Sequence, residues 1–348
     1  MKLIPTREAV GTVLCHDITQ IIRGVTKDAV FRKGHVVTEE DIPVLLSVGK
    51  DHLYVWEKEE GMLHENEAAE ILCAMCRGEH MERSQAKEGK IELTAACDGL
   101  LKVSGRALKA VNGFGQMMIA ARHGNFPVKK GDKLAGTRII PLVIEEEKME
   151  AARRLAMEAT GGESILKLLP FRHKKAGIVT TGNEVYYGRI KDTFTPVIRE
   201  KLSEFDAEIC AHEICGDDDQ AVTRAILAMA DQGADLVVCT GGMSVDPDDK
   251  TPLAIKNTGA RIVSYGAPVL PGAMFLLAYL ERGGKKITVM GLPGCVMYAK
   301  RTVFDLVLPR VMADDEVSGE ELAALGEGGL CLNCPQCTYP NCGFGKGR

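Results

Sequence analysis

Ile178-Val179-Thr180-Thr181-Gly182-Asn183-Glu184 decides how this chain is read: an apolar, strand-like run ends in a glycine turn that carries a carboxylate. Two later stretches repeat the design. Leu236-Val237-Val238-Cys239 runs into Thr240-Gly241-Gly242-Met243-Ser244, and Ile287-Thr288-Val289-Met290 runs into Gly291-Leu292-Pro293-Gly294. If the three runs are parallel strands of one sheet, all three turns open at its carboxyl edge, where open α/β sheets bind ligands. Glycine lets the backbone come close to a bound group, and N–H groups at helix starts favour anions. The reading places a phosphate-bearing ligand there.

Around these turns, strand and helix signals alternate over residues 172–312, the pattern of an α/β, doubly wound and mostly parallel sheet. Ile198, Leu202 and Phe205 share one helical face, and Val222, Ile226 and Met229 share another. Thr195-Pro196 and Thr251-Pro252 each join a capping residue to a proline suited to a first turn.

Upstream, residues 1–62 read as a small α+β module. Thr38 is expected to cap a helix beginning at Glu39, with Ile42, Leu45 and Leu46 on its apolar face and Gly49 as its stop. A strand follows over 51–56, with Leu53, Val55 and Trp56. Residues 63–145 read as a helix carrying Cys73 and Cys76, then a β-rich stretch with glycine turns at Gly99, Gly105, Gly113 and Gly131. Residues 146–171 read as a linker helix, and 313–348 as an acidic and then cysteine-rich tail.

The 348 residues suffice for two or three domains with a core of ordinary size. A net charge of -5 argues against a general nucleic-acid binder. No apolar run has the length of a membrane helix. The start, Met1-Lys2-Leu3-Ile4-Pro5-Thr6, has neither a long apolar core nor a cleavage site, so a cytoplasmic location is expected. Twelve cysteines in a reducing compartment suggest metal rather than disulfides.

Carboxylates lie beside the turns. Glu184 follows Gly182, Asp217-Asp218-Asp219 precede the Val222 helix, and Asp246, Asp248 and Asp249 follow Gly241-Gly242. Such carboxylates hold Mg²⁺ together with ligand phosphates; the simpler reading is helix capping. Asp249 is read as functional because Thr251 already offers a cap.

In order, these motifs resemble the molybdopterin-binding domain shared by molybdopterin adenylyltransferases and molybdopterin molybdenumtransferases. The carriers are Thr180-Thr181-Gly182-Asn183-Glu184, Gly188-Arg189-Ile190-Lys191-Asp192-Thr193, Asp217-Asp218, Thr240-Gly241-Gly242-Met243-Ser244, Asp249-Lys250-Thr251-Pro252, Pro271-Gly272 and Leu292-Pro293-Gly294. Arg32-Lys33-Gly34 and the residues through Ile42 also resemble a molybdenumtransferase segment. The resemblance implies binding of molybdopterin or its adenylate, and Mg²⁺-assisted exchange of adenylate for molybdate. Thr181, Gly182, Asn183, Gly241, Gly242, Ser244, Pro271, Gly272, Pro293 and Gly294 would hold the ligand, and Asp217, Asp249 and Glu184 would serve catalysis. It also implies a homo-oligomer.

Three departures stand beside it. The molybdenumtransferase signature D-N-S-A-M-D-G-Y has no counterpart, Ala273 replaces a lysine, and Cys295-Val296 replace an Asn-Pro pair. They weigh more against turnover than against binding. A non-catalytic carrier or insertion chaperone serving a client molybdoenzyme is therefore the second reading.

The tail reads Cys331-x₂-Cys334-x₂-Cys337-x₄-Cys342. Four thiols so close resemble ligands of a [4Fe–4S] cluster more than a zinc knuckle, whose cysteine pairs stand apart. Zn²⁺ and a disordered tail are the alternatives, and Gly343, Gly345 and Gly347 read as sources of flexibility. Cys73 and Cys76 are read as core rather than as an i, i+3 metal pair, and Cys295 as packing in the ligand loop, with contact to the molybdenum or dithiolene as its alternative.

Overall fold

The computed structural model describes residues 2–22, 26–55 and 60–347. It divides into two compact units, one of Met1–Ala96, Val103–Arg122 and Gly131–Lys167, the other of Cys97–Lys102, His123–Lys130 and Leu168–Arg348. Among the described residues no helix is long and apolar enough to cross a membrane.

In the first unit, Lys2–Pro5 pairs antiparallel with His52–Val55 beside the helix Asp41–Ser47. Leu14, Ile18, Val37, Leu45 and Leu53 close a small core. The helix starts later than expected. Thr38 does not cap it with its side chain; its N–H instead donates to the Asp41 carboxylate at 2.8 Å, and Asp41 also meets His35 at 2.6 Å. Trp56 lies outside the described residues. The helix Glu65–Cys76 buries Cys73 and Cys76, whose thiols burial pushes up, in keeping with a packing role. A four-stranded antiparallel sheet follows, ordered Met81–Arg83, Lys90–Ala95, Lys133–Ile139, Met117–Ala121. Gly105 is not a turn: it opens the helix Gly105–Asn112, because the Ser104 hydroxyl accepts from the Ala107 N–H. The helix Glu146–Thr160 buries Met149, Ala152 and Ala156.

The second unit is built on a six-stranded sheet. Its strands are β1 (Lys175–Thr181), β2 (Glu208–Cys215), β3 (Leu236–Thr240), β4 (Arg261–Tyr265), β5 (Leu276–Arg282) and β6 (Lys285–Leu292), in the order β2-β1-β3-β6-β5-β4. The pairs β1–β2, β1–β3 and β3–β6 are parallel, whereas β5 and β4 complete the edge antiparallel. Its main helices are α1 (Phe194–Ser203), α2 (Asp219–Asp231), α3 (Thr251–Asn257) and α4 (Val303–Met312).

Central strands buried on both faces explain the unbroken apolar runs. Ile178, Val238 and Met290 pack on one side with Ile198 and Leu202 of α1 and Phe304 and Leu308 of α4. Val179, Val237 and Val289 pack on the other with Val222, Ile226 and Met229 of α2 and Ile255 of α3. Each such aliphatic side chain contributes about 1.5–3 kcal/mol by leaving water. The sheet is thus doubly wound, as expected. A further sheet in this unit orders Phe126–Val128, Gly99–Val103 and Leu166–Pro170. Gly99 is a strand residue rather than a turn, and a side chain there would run into the Leu169 carbonyl.

Candidate functional site

The strand registers place the motif turns together. Thr181 stands beside Cys215, Thr180 beside Thr240, and Thr240 beside Leu292. The loops after β1, β2, β3 and β6 therefore leave one rim. β5 runs antiparallel to β6 with Leu276 beside Gly291, so the loop containing Pro271-Gly272 reaches the same rim.

The turns are braced through hydroxyls. Thr181 Oγ1 donates to the Thr240 carbonyl at 3.2 Å and lies 3.1 Å from Thr251 Oγ1. Thr251 Oγ1 donates to the Gly241 carbonyl at 2.9 Å. Thr251 is therefore a brace and not the expected cap, and it cannot serve as the reason for reading Asp249 as functional. Asp249 itself accepts from the Ser244 N–H at 2.8 Å, which closes the loop 244–249. Gly241 has φ +84°, and a Cβ there would strike the Thr181 carbonyl. Only glycine lets the two turns approach so closely.

Asn183 and Asp217 form a reciprocal pair across two loops. The Asn183 N–H donates to Asp217 Oδ2 at 3.0 Å, and the Asp217 N–H donates to Asn183 Oδ1 at 3.3 Å. Asp218 caps α2 by accepting from the Gln220 N–H, so capping is its role. Glu184 is exposed and bends back over Gly182, where a Cβ would lie 2.9 Å from its Oε1. Ser244 and Gly294 are exposed; nothing lies within 4 Å of a Cβ built on Gly294. Pro271 and Gly272 bend onto α4: the Val303 N–H donates to the Pro271 carbonyl at 3.3 Å, and a Cβ on Gly272 would meet Val303.

Several contributors were not singled out from the sequence. The Met243 side chain packs where a Cβ on Gly291 would sit, so the unassigned position of the Thr-Gly-Gly-Met-Ser run anchors its loop on β6. Tyr265 donates to the Met243 carbonyl at 3.0 Å, and burial with the nearby Asp249 charge raises its pKa. Asp192 starts α1 by accepting from the Phe194 and Thr195 N–H groups. His212 Nε2 sits 3.2 Å from Thr180 Oγ1 and 3.1 Å from Thr195 Oγ1, and burial lowers its pKa. Tyr186 and Tyr187 are exposed and pack edge to face, with Arg189 over the Tyr187 ring. A polar loop with two adjacent tyrosines was the available signal for that apolar surface.

A cavity of about 500 Å³ lies beside the rim. Pro271 and Tyr298 line it from the rim loops, and Cys331, Cys334, Cys337 and Cys342 line it from the tail. Of the residues assigned to the ligand from the sequence, only Pro271 reaches it. The tail itself is ordered: the Cys331 N–H donates to the Leu270 carbonyl at 2.8 Å, Tyr339 donates to the Asp305 carbonyl at 3.0 Å, and Phe344 is buried. Gly345 and Gly347 are not there for flexibility, since side chains would strike Leu306 and the Ala324 carbonyl respectively.

With this geometry in place, the likeness to known families is specific. Residues 177–313 match the family model described as "Probable molybdopterin binding domain". This segment belongs to the molybdopterin-binding domain family. The domain's sheet and its motif turns are those of the rim just described. Residues 3–57 match a separate domain of unknown function. A CinA-like protein from Mycobacterium avium is 42% identical over 77 residues, 22% of this chain and 18% of the relative. The chain thus spans under a fifth of the length of such curated relatives. The tungsten cofactor synthesizing protein MoaB from Pyrococcus furiosus is 25% identical, covering 36% of this chain and 84% of its own, with a TM-score of 0.32. The molybdopterin biosynthesis enzyme MoaB from Thermus thermophilus is 23% identical, covering 39% and 91%, also at 0.32. The family match carries the assignment, and it covers the strands and motif turns of the rim.

Proposed function

We propose that the chain binds molybdopterin or its adenylate at the rim of the α/β sheet and assists Mg²⁺-dependent molybdate insertion. One observation carries this reading: the registers of β1, β2, β3 and β6 bring the motif turns to a single edge. The turns at Gly182, Gly241, Gly242 and Gly294, together with the hydroxyl of the exposed Ser244, would meet phosphate oxygens there. Thr181 and Asn183 brace that surface, and Pro271-Gly272 and Pro293-Gly294 border it.

Among the described residues, no three His, Cys, Asp or Glu side chains are arranged to hold a metal ion alone. Mg²⁺ does not need such a cage, because it is held by one or two carboxylates plus substrate phosphates. Asp217 and Asp249 suit that use: each spends one oxygen on a loop N–H and keeps the other. Asp217, Asp249 and Glu184 would hold the ion, which when bound would neutralise charge on the phosphates. Asp249 also keeps the Ser244 loop closed, and Asp217 holds Asn183 in place.

Ala273 and Cys295-Val296, in place of the Lys and the Asn-Pro pair, favour the second reading, a carrier or insertion chaperone for a client molybdoenzyme. Outside the rim, we read Cys331, Cys334, Cys337 and Cys342 as metal ligands, with a [4Fe–4S] cluster and Zn²⁺ as the two candidates. A cytoplasmic homo-oligomer completes the proposal. Anaerobic titration of the full chain with molybdopterin and with its adenylate tests it. Saturable binding that Gly242→Asp abolishes is expected; no binding of either ligand overturns both readings.

A further inference from the structure

We infer that Cys331, Cys334, Cys337 and Cys342 hold a [4Fe–4S] cluster, not a single zinc ion, in the cavity they line beside the ligand rim. The inference rests on reading these cysteines as metal ligands and decides between the two candidates.

The argument is one of size. Zinc bonds to sulfur at about 2.3 Å in a tetrahedral site, which brings four sulfurs to within roughly 3.8 Å of one another. All four cysteines line one cavity of about 500 Å³, far more space than a single ion fills. Ligands spread around one shared space suit a group whose own irons extend the reach of each thiolate, as in a cubane cluster. The local spacing agrees: two intervals of two residues and one of four match the compact ferredoxin type of run far better than two separated pairs.

The frame is rigid enough to hold such a group. Tyr339 stands between Cys337 and Cys342, packs at a tilt against Phe126 with ring centres 5.8 Å apart, and has Arg301 5.0 Å from its own ring centre. Lys300 Nζ donates to the Cys334 and Pro335 carbonyls at 3.3 and 2.7 Å. These cations lie against the cavity, where a thiolate-ligated cluster would carry negative charge. Cys334 and Cys337 are exposed thiols, which a chain has little reason to keep on its surface without a ligand. One wall is the Pro271 loop, tied to the tail by the Leu270 N–H donating to the Gly329 carbonyl at 2.8 Å. The centre would therefore touch a loop that also borders the pterin rim.

The test is anaerobic purification of the full chain, then reconstitution with ferrous iron and sulfide, with metal and sulfide analysis and visible and EPR spectra. About four irons and four sulfides per chain with a broad visible charge-transfer band are expected. The double variant Cys334→Ala/Cys337→Ala should lose that iron and keep the far-UV circular dichroism of the parent, because both residues are exposed. Cys97→Ala, outside the cavity, should keep it. Stoichiometric zinc that excludes iron overturns the cluster and leaves the cysteines as ligands. Neither metal, or full iron retained in the double variant, overturns the site altogether. None of these readouts involves molybdopterin.

Discussion

Replacing Gly241 by Ala is the sharpest probe of how the rim is built. Gly241 follows β3 at φ +84°, in the left-handed region. An L-residue held there costs about 1–2 kcal/mol relative to glycine. The added Cβ also meets a backbone atom, the Thr181 carbonyl, and lies 2.8 Å from Thr181 Oγ1. Thr181 ends a buried strand and its hydroxyl bonds to the Thr240 carbonyl, so it cannot yield without parting β1 from β3. Forcing a methyl into a packed site of this kind adds about 1–3 kcal/mol. The total, about 2–5 kcal/mol, is a large share of the stability of a typical domain, about 5–15 kcal/mol. For a unit of this size it corresponds to a fall in melting temperature of about 4–20 °C.

Gly294→Ala is the matched control. Gly294 is not in the left-handed region and has open space at its Cβ, so its stability should stay within about 0.5 kcal/mol of the parent. Thermal unfolding followed by circular dichroism, with amide exchange of β1 and β3 to isolate the second unit, measures both variants. A Gly241→Ala protein that melts and exchanges like the parent would refute the close approach of the two turns. It would remove with it the reason for placing them on a common ligand surface.

Three further outcomes follow from the same geometry. Asp249→Ala should lower any Mg²⁺-dependent release of adenylate by about 10²–10⁴-fold while changing ligand affinity only severalfold, read from single-turnover rates against equilibrium titration. Burial lowers the His212 pKa, so the unfolded chain binds more protons below about pH 6.5; stability should fall on acidification through that value, and His212→Gln should flatten this part of the urea-midpoint profile, with the Asp192 carboxylate, also lowered, acting only at more acidic pH. Asp305→Ala should cost about 3–5 kcal/mol in chemical denaturation, because it strands the buried Lys201 ammonium now 2.6 Å away and takes the acceptor from Arg301 and the Thr302 N–H, whereas Lys201→Met, which leaves Asp305 those two partners, should cost less.

The rim was legible because its signals are local. Apolar runs too continuous for a half-exposed strand, each closed by glycine, identify central parallel strands without any knowledge of partners. The bracing was not legible. Thr251 before Pro252 has the form of a helix cap, and only the approach of Gly241 from another loop turns its hydroxyl aside. Tyr265 reaches the Met243 carbonyl across 22 residues, and no periodicity encodes that. Gly105 misled for a simpler reason: glycine is a poor helix former, and the Ser104 cap outweighs it. The tail glycines show the same ambiguity. A glycine that frees a chain and a glycine that lets two segments touch are identical until the neighbour, here Leu306 or Ala324, is known.

Ala273 offers a way to separate turnover from carriage by gain rather than loss. It is exposed on the rim loop, and its carbonyl accepts from the Ala267 N–H at 3.0 Å, a bond that a new side chain leaves intact. Ala273→Lys restores the cation that the family resemblance places after Pro-Gly. If the ligand's phosphate lies within reach, one charge-assisted hydrogen bond worth about 1.5–3 kcal/mol should tighten binding about 10- to 150-fold. The gain should shrink as salt rises, because the lysine stands in solvent. Exchange of adenylate for molybdate that rises along with affinity would mean the carboxylates at Asp217 and Asp249 were already competent and only the anion contact was short. Affinity that rises while exchange stays absent would mark the chain as a carrier. An unchanged affinity, or a gain indifferent to salt, would show that the phosphate does not lie at this edge, since no other step separates the added charge from its target.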